Sequence, residues 1–317
     1  MNTVNSPSLN AKLKAMYSKK LKNNDFDDLL KQNTISEAII LLKSKLPELN
    51  DLPTDANRIE LEDSLDSLLI NDMKKIIKYL QGINKEIFEE YILRYKINAI
   101  KQMYEEISVH NTIFQNNWVN ELFTDLKPLY NVTNPIEFIE KIPDKDIRLI
   151  FQTKNSIFER ENALDKYYFE NFFKLVKGKN KNIESLLKMR IDLLNVLWTY
   201  RCKKYYGIMD KNILINVFYH INLDTIQKID EANSLEDLNQ ILHSTIYSNI
   251  LHGDIEHDIK TYYYRKCKKT FRNEILDLSM VISYFMMLET EKENVVTIIE
   301  GIRYKMTKQN IDNKIII

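Results

Sequence analysis

The side chains best suited to metal chemistry fall in one string, His252-Gly-Asp254-Ile-Glu256-His257-Asp258. Imidazoles and carboxylates are zinc ligands, and on a helix His252 and Glu256 would share a face. The string lacks two histidines four apart around a glutamate, so it reads as a polar turn feeding an acidic helix start. Asn23-Asn-Asp25-Phe-Asp27-Asp28 has the rhythm of a calcium loop. However, Asp28 stands where that loop needs glycine, and Thr34 where it needs a bidentate glutamate. As a diphosphate-binding pair on a helical enzyme, Asp27-Asp28 lacks a third acid, because Leu29, Leu30 and Lys31 follow. There is no nucleophile elbow, phosphate loop or Cys-to-His pattern. The expectation is a chain with no catalytic residue, metal site, cofactor or small-molecule ligand of its own.

Two segments interleave aromatics with bases: Trp198-Thr-Tyr-Arg-Cys-Lys-Lys-Tyr-Tyr206 and Tyr262-Tyr-Tyr-Arg-Lys-Cys-Lys-Lys-Thr-Phe-Arg272. Such a pattern can stack single-stranded bases, dock an acidic protein, or be a helix with its bases in water. Lys+Arg and Asp+Glu balance at 45 each, so no net field draws the chain to nucleic acid or anionic lipid. Arg201, Lys203, Lys204, Arg265, Lys266, Lys268 and Lys269 are therefore the candidate contacts for a protein partner.

The elements that carry these residues read as helices. Of 317 residues only five are glycine and six proline, and every proline lies before residue 144. Proline breaks helix interiors and glycine weakens them, so their scarcity favours long uninterrupted helices. No segment sustains a two-residue alternation of β-branched side chains. Two cysteines, Cys202 and Cys267, suit a reducing compartment rather than a disulfide framework. The first twenty residues have no apolar core, which speaks against a signal peptide. The longest nearly apolar run, Met280 to Leu288, is half the length needed to cross a bilayer.

Spacing then reveals repetition. Thr34-Ile-Ser-Glu37, Asn134-Pro-Ile-Glu137 and Asn233-Ser-Leu-Glu236 each read as a capping box, in which the first side chain accepts an amide and the glutamate reaches back. Asn98, Asn195 and Asn294 form a second series, each opening an apolar helical stretch. Gly82 and Gly178 precede the first two asparagines by 16 and 17 residues. In the middle copy Leu187, Ile191, Leu194, Trp198, Cys202 and Tyr205 make one apolar stripe; in the third, Val295, Ile298, Ile302 and Met306 do. The expectation is an all-α chain of three helical repeats, 1–113, 114–214 and 215–317, in which Glu37, Glu137, Glu236 and the three asparagines are structural.

These markers carry a resemblance. The opening Asn10-Ala-Lys-Leu-Lys-Ala-Met16, the leucine-rich Phe26-Asp-Asp-Leu-Leu30, and Asp192-Leu-Leu-Asn195 leading to Arg201-Cys-Lys-Lys-Tyr-Tyr-Gly207 resemble the C-type subunits of bacterial and archaeal V-type ATPases, counterparts of the eukaryotic d-type subunits. Glu291-Lys-Glu-Asn294 leading to Gly301-Ile-Arg-Tyr-Lys305 is similar, while Tyr95 departs from the acidic position and Val296 from a frequently basic one. The resemblance implies a funnel of three helical domains on the cytoplasmic face of the membrane rotor ring. It would take the tip of the central shaft and pass torque between ATP hydrolysis or synthesis and H+ or Na+ transport. Its partners would be the proteolipid ring and the shaft subunits, and its attachment to the membrane would be peripheral. The readings of a different class are a free-standing helical scaffold, whose repeats run shorter, and a nucleic-acid-binding module.

Overall fold

The computed structural model describes residues 7–113, 116–207 and 211–317, with the side chains of Asn117 and Tyr206 left out. The first expected repeat boundary, at residue 114, and Tyr206 of the first aromatic segment thus lie outside the described side chains. Among the described residues the ordered elements are α-helices and three short 3-10 turns, with no strand.

Two compact units divide the chain, Met1–Gln81 with Tyr264–Ile317, and Gly82–Tyr263. The first holds α1 (Pro7–Ser18), α2 (Asn23–Leu30), α3 (Ile35–Lys45) and α4 (Arg58–Ile77). The second holds α5 (Gly82–His110), α6 (Asn117–Leu122), α7 (Pro135–Lys141), α8 (Lys145–Thr153), α9 (Ile157–Val176), α10 (Lys181–Tyr206), α11 (Leu223–Glu231) and α12 (Leu235–Leu242). Within α13 (Ile255–Asn273) the chain returns to the first unit, which α14 (Leu278–Arg303) and α15 (Lys308–Asp312) complete. Compactness therefore groups the two ends of the sequence together.

In the first unit α14 is the central rod. Leu278 to Phe285 are buried without interruption, which accounts for the near-apolar run at Met280: it is core, not a span. No described helix is long and apolar enough to cross a membrane. Val295, Ile298 and Ile299 of α14 pack with Phe26 and Leu29 of α2 and Ile39 and Leu42 of α3. Gly301 lets α15 approach, since a Cβ there would stand 2.6 Å from Ile311 Cγ1. Tyr284 donates to Asp72 of α4 at 3.1 Å, and Lys292 pairs with Asp66 at 2.5 Å.

In the second unit α10 is the rod. The expected single stripe on it is too narrow: Ile183, Leu186, Met189, Leu193, Val196 and Leu197 are buried as well, while Tyr205 is exposed. The reason is that α10 packs against both α9 and α11. Between α5 and α9, Tyr91 and Phe172 lie 6.4 Å apart, and Tyr168 donates to the Tyr91 carbonyl at 3.4 Å. Arg160 is buried over the rings of Tyr104 and Phe151, 4.5 and 5.1 Å from their centres, a cation–π seat that also accepts its long stem.

Helix starts follow the side-chain chemistry of capping. Thr34 Oγ1 accepts the Glu37 amide at 3.2 Å, and Glu37 accepts the Thr34 amide at 3.1 Å. At the second start only half of the expected box forms: Asn134 accepts the Glu137 amide at 2.9 Å, but Glu137 pairs with Lys141 at 2.7 Å rather than with the Asn134 amide. The third start corrects the expectation by one residue. Ser234, not Asn233, is the cap, and Asp237, not Glu236, closes the box with contacts of 2.9 to 3.0 Å. A serine hydroxyl backed by a shorter acid displaces the longer asparagine–glutamate pairing, and Glu236 sits in the first turn. The three caps consequently stand at 34, 134 and 234.

The asparagine series divides. Asn195 donates to the Ile215 carbonyl at 3.0 Å and accepts the Ile215 amide at 3.0 Å, with its side chain fully buried. Asn294 does the same with Ile316, at 2.6 and 2.9 Å. Asn98, expected beside an apolar stripe, is exposed on α5. An amide side chain that pairs with both polar atoms of one residue imitates a strand neighbour, and burial makes each lost bond costly. Replacing Asn195 by leucine should lower stability by about 1–3 kcal/mol in denaturant melts, because the buried Ile215 amide would lose its acceptor and the carbonyl would keep only the Val217 amide. Asn98→Leu should leave the midpoint nearly unchanged; equal losses at the two positions would refute this division.

Candidate functional site

One turn before each buried asparagine sits a carboxylate that holds another length of backbone. Asp192, fully buried on α10, accepts the amides of Tyr219, His220 and Ile221 at 3.1, 2.7 and 3.2 Å. The Tyr247 hydroxyl adds a fourth donor at 2.8 Å. Burial pushes the Asp192 carboxyl upward and the four donors pull it back. Burial, reinforced by the neighbouring carboxylate, raises the Tyr247 phenol far above its ordinary range and keeps it a donor. The three amides lead directly into α11, whose cap is Asn222.

Glu291 of α14 occupies the corresponding place in the other unit. It accepts the Leu21 amide at 3.2 Å and pairs with Lys20 at 3.2 Å, just before α2 begins. Both side chains are nearly covered, at 9% and 11% exposure, so the pair faces little solvent screening. Burial lowers the Lys20 ammonium and raises the Glu291 carboxyl, each opposed by its partner. Thus α10 and α14 each use an acid and, three residues on, an asparagine to hold backbone outside the helix, at two points of the connection before α11 for α10 and at Leu21 and Ile316 for α14. On α5 the acidic position is Tyr95, which is buried and packs 6.4 Å from Tyr91 and 5.1 Å from the Arg94 guanidinium. Aromatic packing replaces the polar grip there.

The expected partner-contact residues are only partly free for such a role. Arg201 pairs with Glu256, and Lys203 donates to the Ala232 carbonyl at 2.6 Å, closing the end of α11. Lys204 is exposed and lies 5.6 Å from the Tyr200 and Tyr205 rings. On α13, Arg265 and Lys269 are exposed, whereas Lys266 and Lys268 are half-buried. Lys268 lies over Tyr264 at 5.4 Å.

The residues considered for metal chemistry serve helix ends instead. Asp258 accepts the His252 and Gly253 amides at 2.6 and 3.1 Å, and Asp254 accepts the His257 amide at 3.1 Å. Asp25 accepts the Lys22 amide at 2.8 Å and pairs with Lys45 at 2.7 Å, and Asp28 pairs with Lys31 at 2.9 Å. Among the described residues no three His, Cys, Asp or Glu side chains converge as a metal site would need. Lys20 and the cradle role of Asp192 carry no local signal, since their partners lie 271 and about 27 residues away in the chain.

Among the described residues the chain is thus all-helical, and its two central rods each hold backbone through an acid and an asparagine. A sequence model of the ATP synthase (C/AC39) subunit matches residues 9–314, and the chain belongs to this family, the AC39 or C/d subunits of V-type ATP synthases. No curated protein matches it. The grip itself can be tested on the isolated chain. Asp192→Ala would strand three backbone amides and the Tyr247 hydroxyl, and at about 1 kcal/mol for each unmatched donor the loss should reach roughly 4 kcal/mol. Hydrogen exchange should show it first at residues 219–221. Unchanged protection there would mean that packing, not the carboxylate, holds this turn.

Proposed function

We propose that this chain is the non-catalytic central-stalk component that couples the rotor shaft to the membrane ring of a V-type ATPase. Torque would pass through it between ATP hydrolysis or synthesis and H+ or Na+ transport, with the nucleotide sites on other subunits. The proposal includes the three repeats, 1–113, 114–214 and 215–317, and peripheral attachment at the cytoplasmic face through the proteolipid ring.

The observation that carries this reading is the grip of α10 and α14 on the segments that follow and precede them in the repeat order. A part that transmits torque must not unwind between its input and output faces. Helices of 26 residues are about 39 Å long and stiff along their axes; their connections are the compliant places. Asp192, Asn195, Glu291 and Asn294 fasten those connections to the rods with buried hydrogen bonds. Caps at 34, 134 and 234 support the same threefold scheme.

Contact with the acidic groups of shaft and ring falls to Lys204, Arg265 and Lys269, three of the five exposed bases of the two aromatic segments, Arg201 being paired with Glu256 and Arg272 lining a cavity beside the Lys20–Glu291 pair. Lys203 is a poor choice for a test because its loss would also uncap α11. In a reconstituted complex, the triple change of Lys204, Arg265 and Lys269 to glutamate should weaken attachment of the ATPase head to the membrane sector several-fold. ATP hydrolysis by the released head should persist. Full ion pumping by the variant complex would remove these residues from the joint, and loss of hydrolysis by an isolated head would contradict the non-catalytic role.

A further inference from the structure

Beside the Lys20–Glu291 pair lies a cavity of about 480 Å³, within the range that small-molecule ligands occupy. It is confined to the unit formed by the two chain ends. Four cationic side chains line it, Lys20, Lys22, Lys268 and Arg272, against the single carboxylate side chain of Glu291. Lys22, Lys268 and Arg272 take part in none of the ion pairs among the described residues.

Several features make this more than a solvated basic face. Lys20 is nine-tenths covered and pinned by Glu291, so one ammonium is held at the wall at no further conformational cost. Lys268 also lowers the Lys20 ammonium, after burial and against the larger opposing pull of Glu291, so a second cation stands close to the Lys20–Glu291 pair. Asn23 and Asn24, the first two residues of α2, also line the cavity. First-turn amides have no partner inside their own helix and favour negative charge. The walls are completed by Tyr17 and Tyr264, whose phenol burial pushes up to about 12, so the tyrosine remains a neutral hydrogen-bond donor.

From this arrangement we propose that the cavity binds a small polyphosphate, a diphosphate or a nucleotide's phosphate chain, held by Lys20, Lys22, Lys268 and Arg272. Guanidinium and ammonium groups on separate elements can each take a different phosphate oxygen, and aromatic walls leave room for a ring attached to it. Because α1, α2, α13 and α14 all contribute, an occupant would tie together the two ends of the sequence. This site is separate from the exposed bases assigned to assembly, so either reading can fail without the other.

The test is titration calorimetry of the full chain with inorganic pyrophosphate, and with ADP and AMP to separate phosphate from ring recognition. Saturable binding with one site per chain is expected, weakened at least about tenfold in Lys268→Gln/Arg272→Gln and unchanged in Lys269→Gln. Pyrophosphate should raise the melting temperature of the parent chain but not of the double variant, each measured against its own melt without ligand. No saturable binding at millimolar pyrophosphate would overturn the proposal. So would equal weakening by Lys269→Gln, which would mark a diffuse charge effect. Binding of an oligoglutamate peptide to the parent chain, with none of pyrophosphate, would overturn it too and assign the cavity to a protein partner.

Discussion

The structure depends on a single device used twice, a buried acid and an asparagine three residues apart on a central helix, each holding backbone from elsewhere. Connections in an all-helical protein are its weak places, because their amides lack the internal partners that helices supply. Asp192 supplies three such partners to the residues before α11, and Asn195 supplies two to Ile215. Glu291 and Asn294 act likewise at Leu21 and Ile316. With these bonds in place the loops become part of the rods' surroundings rather than hinges between them.

The device also explains why polar side chains are tolerated in the core. A buried carboxylate is costly when isolated, and Asp192 is acceptable because four donors surround it. Glu291 is acceptable because Lys20 is buried with it. The two solutions differ in consequence. Asp192 closes its own site completely, while the longer glutamate recruits a cation and stands beside a cationic cavity. On α5, Tyr95 removes the charge and substitutes ring packing. One helical position thus carries three chemistries, each matched to what lies opposite it.

Much of this is legible in the amino-acid sequence. Helical class follows from scarce glycine and proline, and the caps at Thr34 and Asn134 follow from local hydrogen-bonding chemistry. The third cap reads one residue early because Asn233 and Ser234 are both competent caps with an acid three residues on. The stripe on α10 reads too narrowly because periodicity records one buried face, and a helix covered from several sides has no single face.

What only the tertiary structure decided is which partner each polar side chain meets. Asn98 and Asn195 look alike in sequence, yet one is exposed and the other locked to Ile215. Lys203 and Lys204 are neighbours, but a helix turn of about 100° per residue sends one to the end of α11 and leaves the other in water. Lys20 and Glu291 are 271 residues apart, and no local pattern encodes that meeting. Capping and helix propensity act over three or four residues, so a sequence states them directly. Burial and pairing are set by the packing of helices from opposite ends of the chain, so they appear only once the fold is closed.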